Sequence, residues 1–164
     1  MERIQTASQV LKTVVDDVLD FSKIEAGRVE LVPTTFGLAR LVDDVVAIVR
    51  GGVPADGPHV EGEIAPSLDG AYVGDENRLR QILLNLLNNA VKFTPAGSVD
   101  LRIVDLGLEA GSRRLRFSVR DTGIGISPEQ QKLLFRKFSQ IDASNVRRYG
   151  GTGLGLAISQ RLVG

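Results

Sequence analysis

Leu79, Ile82, Leu83, Leu86, Leu87 and Ala90 recur at helical spacing and predict an amphipathic helix over about 75–92. On a second face of that helix Asn85, Asn89 and Lys92 stand at i, i+4 and i+7, so their side chains stack. Asn competes for backbone hydrogen bonds and is a mediocre helix former. Two aligned Asn in a Leu-rich helix are therefore either a solvated polar face or a wall of chemistry. Amide oxygens suit a hard cation such as Mg²⁺, and a Lys suits phosphate.

The same periodicity organises the rest of the chain. Ile4, Leu11 and Val18 fall seven residues apart, with Ala7, Val14 and Phe21 in a second seam, and predict a long helix over 1–27. Its apolar stripe is wide enough to need a partner helix, from its own domain or from a second copy. Gly27 is a natural stop. A short strand is expected over 29–32, ended by Pro33, and an amphipathic helix over 36–50. Strand-like segments follow at 60–64 and 71–73, before the Asn-bearing helix. Residues 98–106 and 113–120 predict a hairpin whose loop contains Gly107 and Gly111. In its second strand Leu115, Phe117 and Val119 alternate with Arg114, Arg116, Ser118 and Arg120, the pattern of a sheet covered by helices on one face only. A helix over 128–138 is expected to start from Ser127 as N-cap with Pro128 at its first position.

Asp121 continues the apolar phase of that strand, which places a carboxylate toward the core as the strand ends. Unpaired burial is expensive, so it needs a donor. It either caps a turn or accepts from an exocyclic amine, with Gly123 and Gly125 leaving room for a base. Residues 139–149 are polar and irregular and carry the adjacent Arg147 and Arg148, which could clamp anions. The glycine-rich run from Gly150 to Gly155 leads straight into an apolar helix, and such a junction can hold an anion. No Gly-Lys-Ser/Thr follows it and no strand leads into it, so it is neither a Walker loop nor a dinucleotide fingerprint.

Composition narrows the classes. Lys and Arg number 20 and Asp and Glu number 20, so the zero net charge argues against a nucleic-acid binder. There is no Cys and one His, which removes disulfides, thiolate sites and an ordinary zinc site. No apolar run reaches the length of a membrane span and no signal peptide is evident, so a soluble, cytoplasmic domain without membrane contact is expected.

Four motifs stand in order: Asn85-Leu86-Leu87-Asn88-Asn89-Ala90-Val91-Lys92-Phe93-Thr94, Asp121-Thr122-Gly123-Ile124-Gly125-Ile126, Phe135-Arg136-Lys137-Phe138, and Gly151-Thr152-Gly153-Leu154-Gly155-Leu156. Together they resemble the N box, first glycine box, F box and second glycine box of sensor histidine kinases. The run from Val18 to Gly27 resembles the second helix of the family's dimerisation and phosphoacceptor hairpin. Phe138-Ser139-Gln140 and the stretch from Arg147 to Thr152 look most like the hybrid branch. The resemblance implies an α+β fold, the two-layer α/β sandwich of the histidine-kinase, gyrase and chaperone ATPases. It implies a hairpin remnant over 1–27 and an ATP-binding catalytic domain over 28–164. Asp121 would accept from the adenine amine, and Gly123 and Gly125 would shape the base pocket. Asn89, with Asn85, would hold Mg²⁺, and Lys92 would pair with phosphate. Gly151, Thr152, Gly153 and Gly155 would cradle phosphates in a lid over 139–152. Ile126, Phe135, Phe138, Arg148 and Leu154 complete the implied ATP-contacting set. The implied partners are the histidine-bearing hairpin of a parent kinase, a response-regulator receiver domain, and a second copy through residues 1–27.

Two departures qualify that picture. The phosphoacceptor histidine is missing; the sole histidine, His59, is expected in a Pro/Gly-rich loop as an ordinary surface residue. The chain also stops at Gly164, where the family usually continues into two more strands, so a C-terminally truncated domain that binds ATP without phosphorylating itself is expected. Two rival readings remain. ATP-hydrolysing relatives resemble the chain in the Asn and glycine boxes but carry a Glu at the position of Asn85; Glu can act as a base on water and Asn cannot. A non-catalytic nucleotide-binding regulatory module is the other.

Overall fold

The computed structural model describes residues 30–134 and 153–163, together with Val15 and Ser22, both helical. The rest of the helix expected over 1–27, and the whole of the expected lid over 139–152 together with Phe135 and Phe138, lie outside the described residues. The chain divides into two compact units, Leu31–Gly125 and Met1–Glu30 with Ile126–Gly164.

The first unit runs β1 (Thr34–Gly37), α1 (Leu38–Gly51), β2 (His59–Ile64), a 3-10 turn (Pro66–Leu68), β3 (Ala71–Gly74), α2 (Glu76–Lys92), β4 (Ser98–Glu109) and β5 (Ser112–Asp121). Two sheets form. β1 pairs antiparallel with β3, Thr35 opposite Val73. In the three-stranded sheet β4 is central, parallel to β2 with Val60 opposite Val99, and antiparallel to β5 with Leu101 opposite Val119.

The core lies between the three-stranded sheet and the two helices. Leu38, Leu41, Val42, Val45, Val46 and Val49 of α1 are all buried, the stripe that its sequence predicts. Leu83, Leu87 and Ala90 bury the opposing face of α2, with Leu79 packed against them. The sheet supplies Val60, Val99, Leu101 and Ile103, with Leu115, Phe117 and Val119 alongside. Its other face carries exposed Glu61, Glu63, Arg102, Arg116 and Arg120, so one face is dry and one wet. Gly62 is a close-approach position: a Cβ there would stand 2.9 Å from Val42 Cγ1 and 3.0 Å from Val46 Cγ2. Arg80 bridges the helices, 2.8 Å from Glu76 within α2 and 3.4 Å from Asp44 on α1.

Several expectations are corrected. Of the strand expected over 29–32, the described residues form none: residues 30–33 are irregular and β1 begins at Thr34, while Val29 lies outside the described residues. Leu31 and Val32 are exposed, so the apolar pattern there reflects no burial, and Pro33 has no N–H to give a ladder. Phe36 belongs to β1, and α1 begins at Leu38. The β4–β5 loop contracts to Ala110–Gly111, both at positive φ (50° and 81°), a two-residue turn matched to the twist of a hairpin. Gly107 sits within β4 at a bulge, where its N–H donates to Asp105 Oδ1 at 2.8 Å.

In the second unit Ser127 caps α3 (Pro128–Gln131): its hydroxyl accepts from the Gln130 N–H while the Gln130 side chain accepts from the Ser127 N–H. The expected helix over 128–138 stops at Gln131, and residues 132–134 are turns. α4 (Gly155–Val163) follows the glycine-rich run; Leu154 and Ile158 are buried and pack with Leu162.

Candidate functional site

The Asn-bearing face of α2 points away from the core. Relative to Leu83 and Leu87, Asn85, Asn89 and Lys92 lie on the far side of the helix. Yet all three are half-buried, unlike Asn88, which is exposed. A simple solvated face would not read so. Asn89 Nδ2 donates to Asn85 Oδ1 at 3.4 Å, a long bond that aligns the two amides one turn apart. One turn further, Lys92 has its Nζ 5.0 Å from the centroid of the Phe93 ring. Desolvation pulls the Lys92 pKa below its ordinary value. The stripe therefore presents two amides and a partly dehydrated cation.

The loop after β5 is stitched to the end of α2. Ile124 N–H donates to the Phe93 carbonyl at 3.1 Å, Thr122 N–H to the Ser98 carbonyl at 3.1 Å, and Ser98 N–H to Thr122 Oγ1 at 3.0 Å. These bonds bring the Asn-containing motif and the Asp-Thr-Gly motif together in the first unit. Asp121 keeps its place in the strand phase, opposite Val99, but it is exposed rather than buried, as the last residue of β5 at the sheet margin. Its Oδ1 accepts the Gly123 N–H at 2.9 Å, so in this structure it caps a turn. Its donor is thus an exposed backbone amide. The glycines differ in role. At Gly123 a Cβ would run into the Phe93 carbonyl oxygen and stand 2.7 Å from Thr94 Oγ1; at Gly125 nothing lies within 4 Å, but φ is +70°.

Two residues beside the site carry no role in the sequence-level reading. Phe93 caps α2 and sets its ring against Lys92. Thr94 is fully buried, and its hydroxyl has no hydrogen-bond partner among the described residues, a state that costs about 1–3 kcal/mol. Both lie in the quoted Asn motif, and the helix-ending Thr94-Pro95 pair is the only local signal for them.

Ile126 and the second glycine element belong to the other unit. Ile126 is exposed, and its carbonyl accepts from Gln131 Nε2 at 3.0 Å. Gly153 has φ +69°, Leu154 is buried with its carbonyl accepting from the Ile158 N–H at 2.8 Å, and Gly155 opens α4. His59 is exposed as expected, but it opens β2 opposite Ser98 rather than lying in a loop, and its Nε2 lies 2.9 Å from Glu61 Oε1. Among the described residues no helix is long and apolar enough to cross a membrane.

The model of the family described as "Histidine kinase-, DNA gyrase B-, and HSP90-like ATPase" matches residues 74–164. Among curated relatives, the signal transduction histidine-protein kinase BarA of Escherichia coli (strain K12) is 39% identical over 163 residues, 99% of this chain and 18% of that protein. Hybrid signal transduction histidine kinase B of Dictyostelium discoideum is 39% identical over 159 residues, 97% of this chain and 8% of that protein. The chain thus spans less than a fifth of the length of these relatives. Among solved structures, full-length ShkA in complex with AMPPNP superposes with a TM-score of 0.78 at 34% identity, over 98% of this chain and 32% of that one. The Acinetobacter baumannii histidine kinase AdeS shares the fold, with a TM-score of 0.74 at 22% identity over 99% of this chain and 71% of that one.

Proposed function

The chain belongs to the histidine kinase-, DNA gyrase B- and HSP90-like ATPase family, and from that premise we propose that it is the Mg-ATP-binding catalytic part of a hybrid-type sensor histidine kinase. It would transfer the γ-phosphoryl group of ATP to a histidine on the parent kinase's helical hairpin, and the phosphoryl group would pass on to a receiver domain. The setting would be cytoplasmic, where ATP is available. The relatives named above support the kinase class, and the carrying observation is the half-buried Asn85–Asn89 amide pair with Lys92 one turn on.

Phosphoryl transfer through a loose transition state needs positioning and charge neutralisation more than covalent help. Asp121 would accept from the adenine amine. Gly123 and Gly125 would let the base approach the backbone. The amide oxygens of Asn85 and Asn89 fit the oxygen-rich coordination of Mg²⁺, which would neutralise phosphate charge when bound. Lys92 would pair with phosphate. By the family resemblance, Gly151, Thr152, Gly153 and Gly155 would offer backbone N–H groups to the phosphates, and Ile126, Phe135, Phe138, Arg148 and Leu154 would complete the ATP-contacting set. An Asn at position 85 has no basic group with which to activate water, which favours transfer over hydrolysis.

Mixing the protein with a separate histidine-bearing hairpin and labelled Mg-ATP tests this. Phosphate on the hairpin supports the kinase. Free phosphate alone supports a hydrolase, and binding without turnover supports a regulatory module. Asp121→Asn should abolish ATP binding; unchanged affinity would remove the adenine assignment.

A further inference from the structure

Leu31 and Val32 stand where the chain passes from one compact unit into the other, at the boundary between Glu30 and Leu31. Both are apolar, and both are exposed, at 61% and 63%. Side-chain burial therefore does not hold this segment. Sheet pairing does not hold it either, because β1 starts at Thr34. Among the described residues, one carboxylate 43 residues further along the chain holds it. Asp75 Oδ2 accepts the Val32 N–H at 3.0 Å, and Asp75 Oδ1 accepts the Arg78 N–H at 3.0 Å. The second bond is the N-cap of α2. Asp75 thus ties the entering segment directly to the first turn of the helix that carries Asn85, Asn89 and Lys92.

The residue type matters. Only a carboxylate offers two acceptor oxygens at this position, one for each N–H. Asn caps a helix about as well, but it has a single acceptor and would turn an amide donor toward the Val32 N–H. These two N–H groups are also the leading causes that hold the Asp75 pKa below its ordinary value, Val32 first and Arg78 second. From the clasp to Asn85 the path is uninterrupted helix of about 1.5 Å rise per residue, with no loop to absorb a displacement.

We propose that Asp75 is a positioning residue that couples the entering segment to the nucleotide-holding helix, so that ordering of Val32 and occupancy of the ATP site favour one another. The coupling rests on the ATP-site reading above; the clasp itself does not. Because coupling free energies are reciprocal, nucleotide should protect Val32 by the same factor by which an intact clasp strengthens nucleotide binding.

Residue-resolved hydrogen exchange on the wild type, Asp75→Asn and Asp75→Ala, each with and without saturating Mg–AMPPNP, tests the proposal, with calorimetry to measure the binding. Without nucleotide, Asp75→Asn should speed Val32 exchange by about tenfold or more while Arg78 stays within about twofold of wild type. Asp75→Ala should release both amides. With nucleotide, Val32 should slow by about threefold or more in the wild type and not at all in Asp75→Asn, whose AMPPNP affinity should be weaker by that same factor. A merely structural cap would leave Val32 exchange and affinity unmoved in Asp75→Asn, and either result overturns the proposal. A wild type that protects Val32 but shows no response to bound nucleotide also overturns it. If calorimetry shows no nucleotide binding to the wild type, the ATP-site reading fails and takes the coupling with it, while the nucleotide-free comparison still decides whether Asp75 holds Val32.

Discussion

The Ile124 N–H donates to the Phe93 carbonyl at 3.1 Å, joining the loop after β5 to the end of the Asn-bearing helix. Gly123, one residue earlier, has no room for a side chain, because a Cβ would meet that same carbonyl oxygen. Gly123→Ala should therefore push the two segments apart. We expect a loss of about 1–3 kcal/mol of stability together with at least a tenfold loss of ATP affinity. Gly125→Ala meets no neighbour within 4 Å and carries only the strain of φ +70°, about 1–2 kcal/mol. Thermal melts and calorimetric titration of both variants check the ordering. Equal ATP affinities for Gly123→Ala and wild type would show that the stitched loop does not shape the base site.

Asn89→Ala removes one of the two aligned amides of α2 and exposes no core. ATP affinity measured with Mg²⁺ should fall by about tenfold or more, whereas affinity in the presence of a chelator should change little. Stability should stay within about 0.5 kcal/mol, since the side chain faces away from the apolar core. A loss that is the same with and without Mg²⁺ would assign Asn89 to direct phosphate contact.

The core between the sheet and the two helices predicts two opposite packing errors. Gly62→Ala inserts a methyl group 2.9 Å from Val42 and 3.0 Å from Val46, and should cost about 1–3 kcal/mol by overpacking. Leu87→Ala empties a fully buried position and should cost about 2–5 kcal/mol. Urea unfolding measures both. Gly62→Ala should retain ATP affinity wherever it is folded, because it touches only the α1 side of the core.

Acid should release the Asp75 clasp. Its folded-state pKa is depressed, chiefly by the Val32 N–H and then by the Arg78 N–H. A carboxylate so depressed contributes stability that is present above its unfolded pKa and lost as pH falls through the folded value. The flanking charges are Glu76, held by Arg80, and Arg78. The stability gap between wild type and Asp75→Asn should be constant near neutrality and close below about pH 4. Urea unfolding from pH 7 to pH 2.5 follows it; a gap that persists to the acid end would show that charge on Asp75 contributes nothing.

Much of the fold was legible because helices announce themselves through side-chain period. The apolar stripe of α1 is buried as its spacing predicts, and Ser127 caps α3 as its position before Pro128 requires. The alternation of Leu115, Phe117 and Val119 correctly marks the dry face of β5. The site motifs were equally visible as residues, but not as geometry. Asp121 follows the apolar phase to the end of β5 and is nevertheless exposed, because phase says which side a residue faces and not whether anything covers it there.

The sequence alone determined the two core helices, the alternating strand, and the residue types that give the candidate site its chemistry. All of these depend on side chains a few positions apart, whose spacing is written in the chain. Tertiary structure alone decided that β1 starts after Pro33, that β2 runs parallel to β4, and that Ile124 bonds to Phe93. It also decided that Asp75 holds Val32 from 43 residues away. Each of these has a backbone N–H or C=O on at least one side, a group that residues carry alike apart from the missing N–H of proline, so no local pattern of side chains announces which pair will meet.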